Sequence, residues 1–178
     1  PTARRVLDLC TGSGCLAILA AHVFSEADID AVDLSSDALS VARRNVRDHA
    51  LDERVCLFEG DLFSPLKGQR YDVILTNPPY VDAHDYDDMP AEYTHEPKMA
   101  LVSGDDGLDL TAAMLAEAAD WLSEQGLLVI EVGNSELALQ QAFPEIPFMW
   151  LELSQGGNGI FCLTGAQCRQ YQAQFYTW

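Results

Sequence analysis

Residues 7–17, "LDLCTGSGCLA", run from one apolar stretch into another through a loop of small residues. Arg5 to Leu9, before the loop, reads as a buried strand. Cys15 to Phe24, after it, reads as a helix apolar nearly all round and therefore buried. Gly12 and Gly14 let the backbone turn tightly and approach a ligand, and the helix N-terminus behind them favours negative charge. Such a unit begins a doubly wound parallel sheet, and the rest of the chain keeps its alternation. Ile29 to Asp33 is the second strand. Ser36 caps the next helix, in which Leu39, Ala42, Val46 and His49 follow the helical period. Val55 to Glu59 and Tyr71 to Thr76 are the third and fourth strands. Thr111 to Gln125 reads as a helix with Leu115, Ala118 and Trp121 among its apolar positions and Gly126 as its stop. Leu127 to Val132 is the fifth strand, and Ser135 opens a short helix that ends before Pro144. Phe148 to Leu153 and Gly159 to Thr164 are joined by "SQGGN", a loop short enough to require an antiparallel hairpin. The expected fold is α/β, a mostly parallel seven-stranded sheet ending in that hairpin.

The chain has 178 residues, enough for one domain with a full core. At 48% hydrophobic and 21% charged it is globular in composition. Its longest apolar run, Cys15 to Ala21, is far too short for a membrane span. No signal peptide is evident, and the chain opens at Pro1 rather than a methionine. Five cysteines (Cys10, Cys15, Cys56, Cys162, Cys168) form no C-x-x-C pair, and their scatter over apolar segments reads as reduced, cytoplasmic packing residues. The dispersed histidines give no zinc spacing, so no metal is expected. A net charge of −18 argues against direct nucleic-acid binding, which rests on Lys and Arg at phosphates, and would steer a basic partner toward the surface. Solubility alone would account for the acidity equally well. In the tail, Cys168, Tyr171, Phe175 and Trp178 share one helical face. Docking onto the domain is the simpler expectation and a dimer contact the sharper one; the oligomeric state stays open.

"LTNPPYV", residues 75–81, stops the fourth strand with an amide, two prolines and a tyrosine. Neither proline has an N–H to donate, and each pushes the residue before it into an extended conformation. Asn77-Pro78-Pro79 is therefore a stiff corner that mainly accepts hydrogen bonds, which suits a guest that mainly donates, such as an –NH2 group.

Asp33 ends the second strand 19 residues after Gly14, where a carboxylate accepts from both hydroxyls of a ribose. To this point a nicotinamide dinucleotide and S-adenosylmethionine fit equally well. Asp8, just before the loop, could order it or meet a cationic amino-acid end, and a pyrophosphate has no use for its charge. Asp61, in "EGDLF", can accept from an adenine amine, with Leu62 and Phe63 against the ring. Each acid alone is more often a cap or turn residue. Together, at successive strand ends, these features fit S-adenosylmethionine.

"DLCTGSG", "VDLS", "GDLF" and "TNPPYV", followed by "HEPKMALVSGDDGLDL", resemble the protein-(glutamine-N5) methyltransferases. "DLCTGSG" with Cys10, "EYTHEP" and "GGNGIF" are most similar to the branch acting on large-subunit ribosomal protein L-three; the release-factor branch usually carries glycine at the Cys10 position. The resemblance reaches about Thr164. It implies a Rossmann-like class I methyltransferase catalytic domain over residues 1–164, a helical aromatic tail over 165–178, and an N-terminal substrate-binding domain not present in this chain. It also implies that Cys10, Thr11, Gly12, Ser13 and Gly14 line the methionine end of the cofactor. Asp33 and Leu34 would meet the ribose side, Asp61 and Leu62 the adenine, and Asn77 both cofactor and substrate amide.

The expected chemistry is methyl transfer to a glutamine amide nitrogen, with Asn77, Pro78, Pro79 and Tyr80 as the catalytic corner. The Asn77 side-chain oxygen and the Pro78 carbonyl would accept the two N–H bonds, while Tyr80 packs the flat amide and shields the site. Six acids without a Lys or Arg (Asp82, Asp85, Asp87, Asp88, Glu92, Glu96) would guide a basic segment if they act as a group. A metal on these acids with His84 and His95 has no recognisable spacing. Three rivals remain. An amine methyltransferase on DNA or RNA poses the same chemical problem. A fragment that binds cofactor with little turnover is the second, and a dehydrogenase, in which the proline corner has no role, the third.

Overall fold

The computed structural model describes residues 2–79, 108–153 and 157–177. Among these, seven strands form one sheet in the order β3-β2-β1-β4-β5-β7-β6. The strands are β1 (Arg5–Leu9), β2 (Asp28–Asp33), β3 (Val55–Glu59), β4 (Tyr71–Thr76), β5 (Leu122–Glu131), β6 (Met149–Trp150) and β7 (Ile160–Thr164). Strands β1 to β5 pair in parallel, and β7 runs antiparallel to both β5 and β6. The order reverses between β1 and β4, the place where open α/β sheets bind ligands. The mostly parallel sheet with its antiparallel finish is the expected architecture.

Alternation along the strands divides the core in two, because successive side chains point to opposite faces. Val6, Ile29 and Ala31 pack with Ala17, Ile18 and Ala21 of α1 (Cys15–Val23) and with Val46 of α2 (Ser36–Asp48). Leu7, Leu9, Val32 and Ile74 pack with Met114 and Leu115 of α3 (Asp109–Trp121), Leu139 of α4 (Glu136–Ala142) and Phe175 of α5 (Gly165–Phe175). Leu7, Leu9 and Ile74 are wholly buried, each worth roughly 1.5–3 kcal/mol relative to exposure.

Several elements differ from the sequence reading. Helix α1 lays a small-residue face on the sheet, but Leu19 and Val23 are 57% and 65% exposed, so it is not buried all round. The cap of α2 is Ser35, whose hydroxyl accepts from the Ala38 amide; Ser36 is already helical. His49 ends that helix exposed, beside His22 rather than in the core. Helix α3 stops at Trp121, where the Arg70 guanidinium takes the carbonyls of Ala119 and Leu122, and β5 starts at once with Leu122. The pairing shifts from Tyr71↔Leu122 to Val73↔Leu127, so the strand absorbs the intervening residues as an irregularity. Gly126 is thus no helix stop: a Cβ there would lie 2.9 Å from both the Tyr71 carbonyl oxygen and a Leu122 methyl. Strand β6 is limited to Met149 and Trp150, and β7 begins at Ile160. Cys162 and Cys168 are buried as packing residues, but Cys15 and Cys56 are exposed; all five cysteines are free.

A capping box formed by Thr164 and Gln167 opens α5. Cys168 and Phe175 are buried on its inner face, Phe175 meets Phe143 edge-on at 5.2 Å, and Tyr171 packs against the same cluster. The tail therefore docks onto the domain. Trp178 lies outside the described residues. No helix among the described residues is long and apolar enough to cross a membrane.

Candidate active site

Strand register brings the singled-out residues to one edge. Leu9 is level with Val32 on one side and with Thr76 on the other, and Asp33 is level with Glu59. The next residues along each chain, Cys10, Asp33, Asn77 and the Gly60-Asp61 turn, therefore emerge together at the carboxyl ends of β1 to β4.

The glycine loop is held from several directions. The Thr11 amide donates to the Val32 carbonyl at 3.0 Å and the Gly12 amide to Asp33 Oδ2 at 2.8 Å. The other Asp33 oxygen takes the Ser35 amide at 2.8 Å. Each oxygen keeps a lone pair for a further donor. From α2, Asn45 Nδ2 donates to the Ser13 carbonyl at 2.9 Å. Gly12 adopts φ 56°, and among the described residues nothing lies within 4 Å of where a Cβ would project. Gly14 combines φ 85° with an approach that would put a Cβ 3.2 Å from Ala42 Cβ. Glycine is required there on both counts.

Asp8 is wholly buried beneath this loop. Its Oδ2 accepts the Thr11 hydroxyl and, at 2.9 Å, the Ala17 amide. Asp8 thus orders the loop, the first of the two roles expected of it. Its Oδ1 is buried without a hydrogen-bond partner among the described residues. Burial pushes the carboxyl up to about 7, more than the bonds from Thr11 and Ala17 pull it down. Cys10 follows with φ 56°, a left-handed conformation uncommon outside glycine. Burial, and then the charges of Asp33 and Asp8, push its thiol up to about 12.

Beyond β3, the Gly60 amide donates to the Asp33 carbonyl at 3.1 Å, Asp61 is exposed and Leu62 adopts φ 43°. Leu34 is 58% exposed next to Asp33. Phe63 turns the other way: it is 2% exposed and stacks on Trp121 at 5.4 Å and 8°, which places it in the core rather than against a ligand ring. At the end of β4, Asn77 is exposed, Pro78 buried and Pro79 half-buried. Tyr80 and the acidic stretch with Asp82, Asp85, Asp87, Asp88, Glu92 and Glu96 lie outside the described residues, as do His84 and His95. Among the described residues no three His, Cys, Asp or Glu side chains form a metal cluster.

Three residues had escaped the sequence reading. Ser35 caps α2 and its amide holds Asp33, Asn45 braces the loop from α2, and Thr76, 3% exposed, donates to the Leu9 carbonyl at 2.8 Å. The one available signal was Thr76 itself, a hydroxyl at the buried end of an apolar strand. Together the edge offers a glycine turn, carboxylate acceptors and a proline corner poor in donors. That combination fits a ligand with donors and positive charge, and the orphaned Asp8 Oδ1 adds to this fit.

Residues 1–106 match the family model for the methyltransferase small domain. A ribosomal protein uL3 glutamine methyltransferase of Francisella tularensis is 50% identical over 170 residues, covering 96% of this chain and 54% of that protein. One of Burkholderia pseudomallei is 48% identical over 169 residues, covering 91% and 55%. The chain spans about half the length of these curated relatives. The crystal structure of a methyltransferase from Pyrococcus furiosus superposes with TM-score 0.68 at 18% identity, covering 92% of this chain and 75% of the other, a likeness of fold.

Proposed function

The chain belongs to the methyltransferase small domain family, and from that premise we propose that it methylates the side-chain amide of a glutamine in a basic ribosomal protein, uL3. The methyl comes from S-adenosylmethionine, which supplies it on an electron-poor sulfonium. What supports the reading is the register that sets Asn77 beside the glycine loop and Asp33 at one sheet edge, joined to the names of the relatives.

Thr11, Gly12, Ser13 and Gly14, with Asp8 and Cys10 behind them, hold the methionine end. Asp33 accepts from the ribose with Leu34 beside it, and Asp61 with Leu62 takes the adenine. An amide nitrogen is a poor nucleophile, because its lone pair is delocalised into the carbonyl. The Asn77 side-chain oxygen and the Pro78 carbonyl accept its two N–H bonds. They would turn the lone pair toward the methyl and stabilise positive charge developing on nitrogen. As the N–C bond forms the S–C bond breaks, a neutral thioether would leave, and the nitrogen would give up one proton to solvent. Pro78 and Pro79 offer no competing N–H. Positioning carries most of the rate, and Tyr80 closes the corner. The protein acts in the cytoplasm, and the N-terminal domain that the resemblance implies would help to grip the substrate.

Mass spectrometry tests the assignment. The full-length protein is incubated with S-adenosylmethionine and, in turn, ribosomal protein uL3, a release factor and duplex nucleic acid. One methyl on one glutamine of uL3 is the expected product; methylation of nucleic acid alone, or of nothing, overturns it.

A further inference from the structure

We propose that Thr76 is a positioning residue that holds the glycine loop and the Asn77-Pro78-Pro79 corner at a fixed separation. The inference rests on the methyl-transfer reading above and adds a residue that neither half-site contains. Thr76 immediately precedes Asn77, and the carbonyl it reaches belongs to Leu9, which immediately precedes Cys10. The bond, 2.8 Å long, joins residues 67 apart in sequence that are level in the β1–β4 register. Both ends are thus one peptide from the groups that must meet.

The other ties on the loop run elsewhere. Thr11 and Gly12 are held to β2, and Ser13 to α2. Thr76 supplies the tie to β4, the strand that carries the corner. At 3% exposure the Thr76 side chain is largely shielded from water among the described residues. A misplacement on the order of 1 Å between reacting groups can cost about a hundredfold in rate. A tie at this point therefore affects the reaction without touching cofactor or substrate.

The test compares Thr76→Val, which keeps the shape and removes the hydroxyl, with Thr76→Ser, which restores it, in the full-length protein. Hydrogen exchange at the Thr11 and Gly12 amides is measured without substrate. Turnover on uL3, its KM and the cofactor Kd are measured alongside. In Thr76→Val, exchange at Thr11 and Gly12 is expected to rise about tenfold. Turnover is expected to fall about tenfold, with cofactor Kd and substrate KM within about twofold of wild type. Thr76→Ser returns both toward wild type. Unchanged exchange in Thr76→Val overturns the tie, and a parallel loss of cofactor affinity overturns its role in positioning. Absence of glutamine methylation by the wild type would instead defeat the proposed function, and exchange would still decide the tie.

Discussion

Cys10 holds a left-handed backbone, φ 56°, immediately after the last residue of β1. Left-handed geometry costs a side chain roughly 1–2 kcal/mol, while glycine loses about 0.5–1 kcal/mol through the freedom of its unfolded chain. The two oppose each other, so Cys10→Gly should shift unfolding by no more than about 1.5 kcal/mol in urea titration. The half-buried Cys10 thiol, pushed up to about 12, stays protonated at pH 8, so iodoacetamide should modify exposed Cys15 well before Cys10 in a peptide map. Asp8 carries a pH dependence of definite sign. Its folded value, about 7, lies above the usual 3.8, so folding loses stability as pH rises between the two, and the full penalty stands above pH 7. Asp8→Asn keeps an oxygen for Thr11 and Ala17 and removes the titration. Urea titrations should show the variant gaining on wild type by roughly 4 kcal/mol at most between pH 4 and pH 8. A gap independent of pH would mean that Asp8 is not the buried acid described. Asp8 and Asp33 were legible as residues in the sequence. Their partners were not, because backbone amides such as Gly12 and Ser35 leave no residue signature.

Strands β1, β3 and β4 have the ends expected from their apolar runs, since a short apolar run bounded by turn residues directly reports a strand. Boundaries failed where a distant side chain decides them. Nothing in residues 111–125 announces that Arg70, 49 residues before Ala119, will take the carbonyls that end α3. The Phe63 ring was misplaced for a similar reason: its partner, Trp121, arrives on another element. At this scale the glycine at the β4–β5 irregularity is testable. Gly126→Ala pushes a methyl against the Tyr71 carbonyl, and unfolding should become easier by about 1–3 kcal/mol. Ser35→Ala removes the cap of α2 for about 1 kcal/mol. It also frees the helix that carries Asn45 to the loop, so cofactor affinity should fall with it in calorimetry.

Across the whole molecule, the doubly wound sheet followed from the alternation of apolar runs; the reversal of order between β1 and β4, which brings four strand ends to one edge, is seen only in the structure. The net charge of −18 acts over the same scale. Affinity for a basic ribosomal protein should fall steeply as salt rises from low to physiological ionic strength, with turnover at saturation little changed. A flat KM would remove electrostatic guidance from the account. The central claim is narrower: the corner after β4 accepts the hydrogens of the amide being methylated. It is tested by turnover of full-length Asn77→Ala on uL3 at saturating S-adenosylmethionine. Loss of that acceptor should cost roughly 1–3 kcal/mol, a fall in kcat of about tenfold to a hundredfold. A kcat close to wild type would contradict the claim.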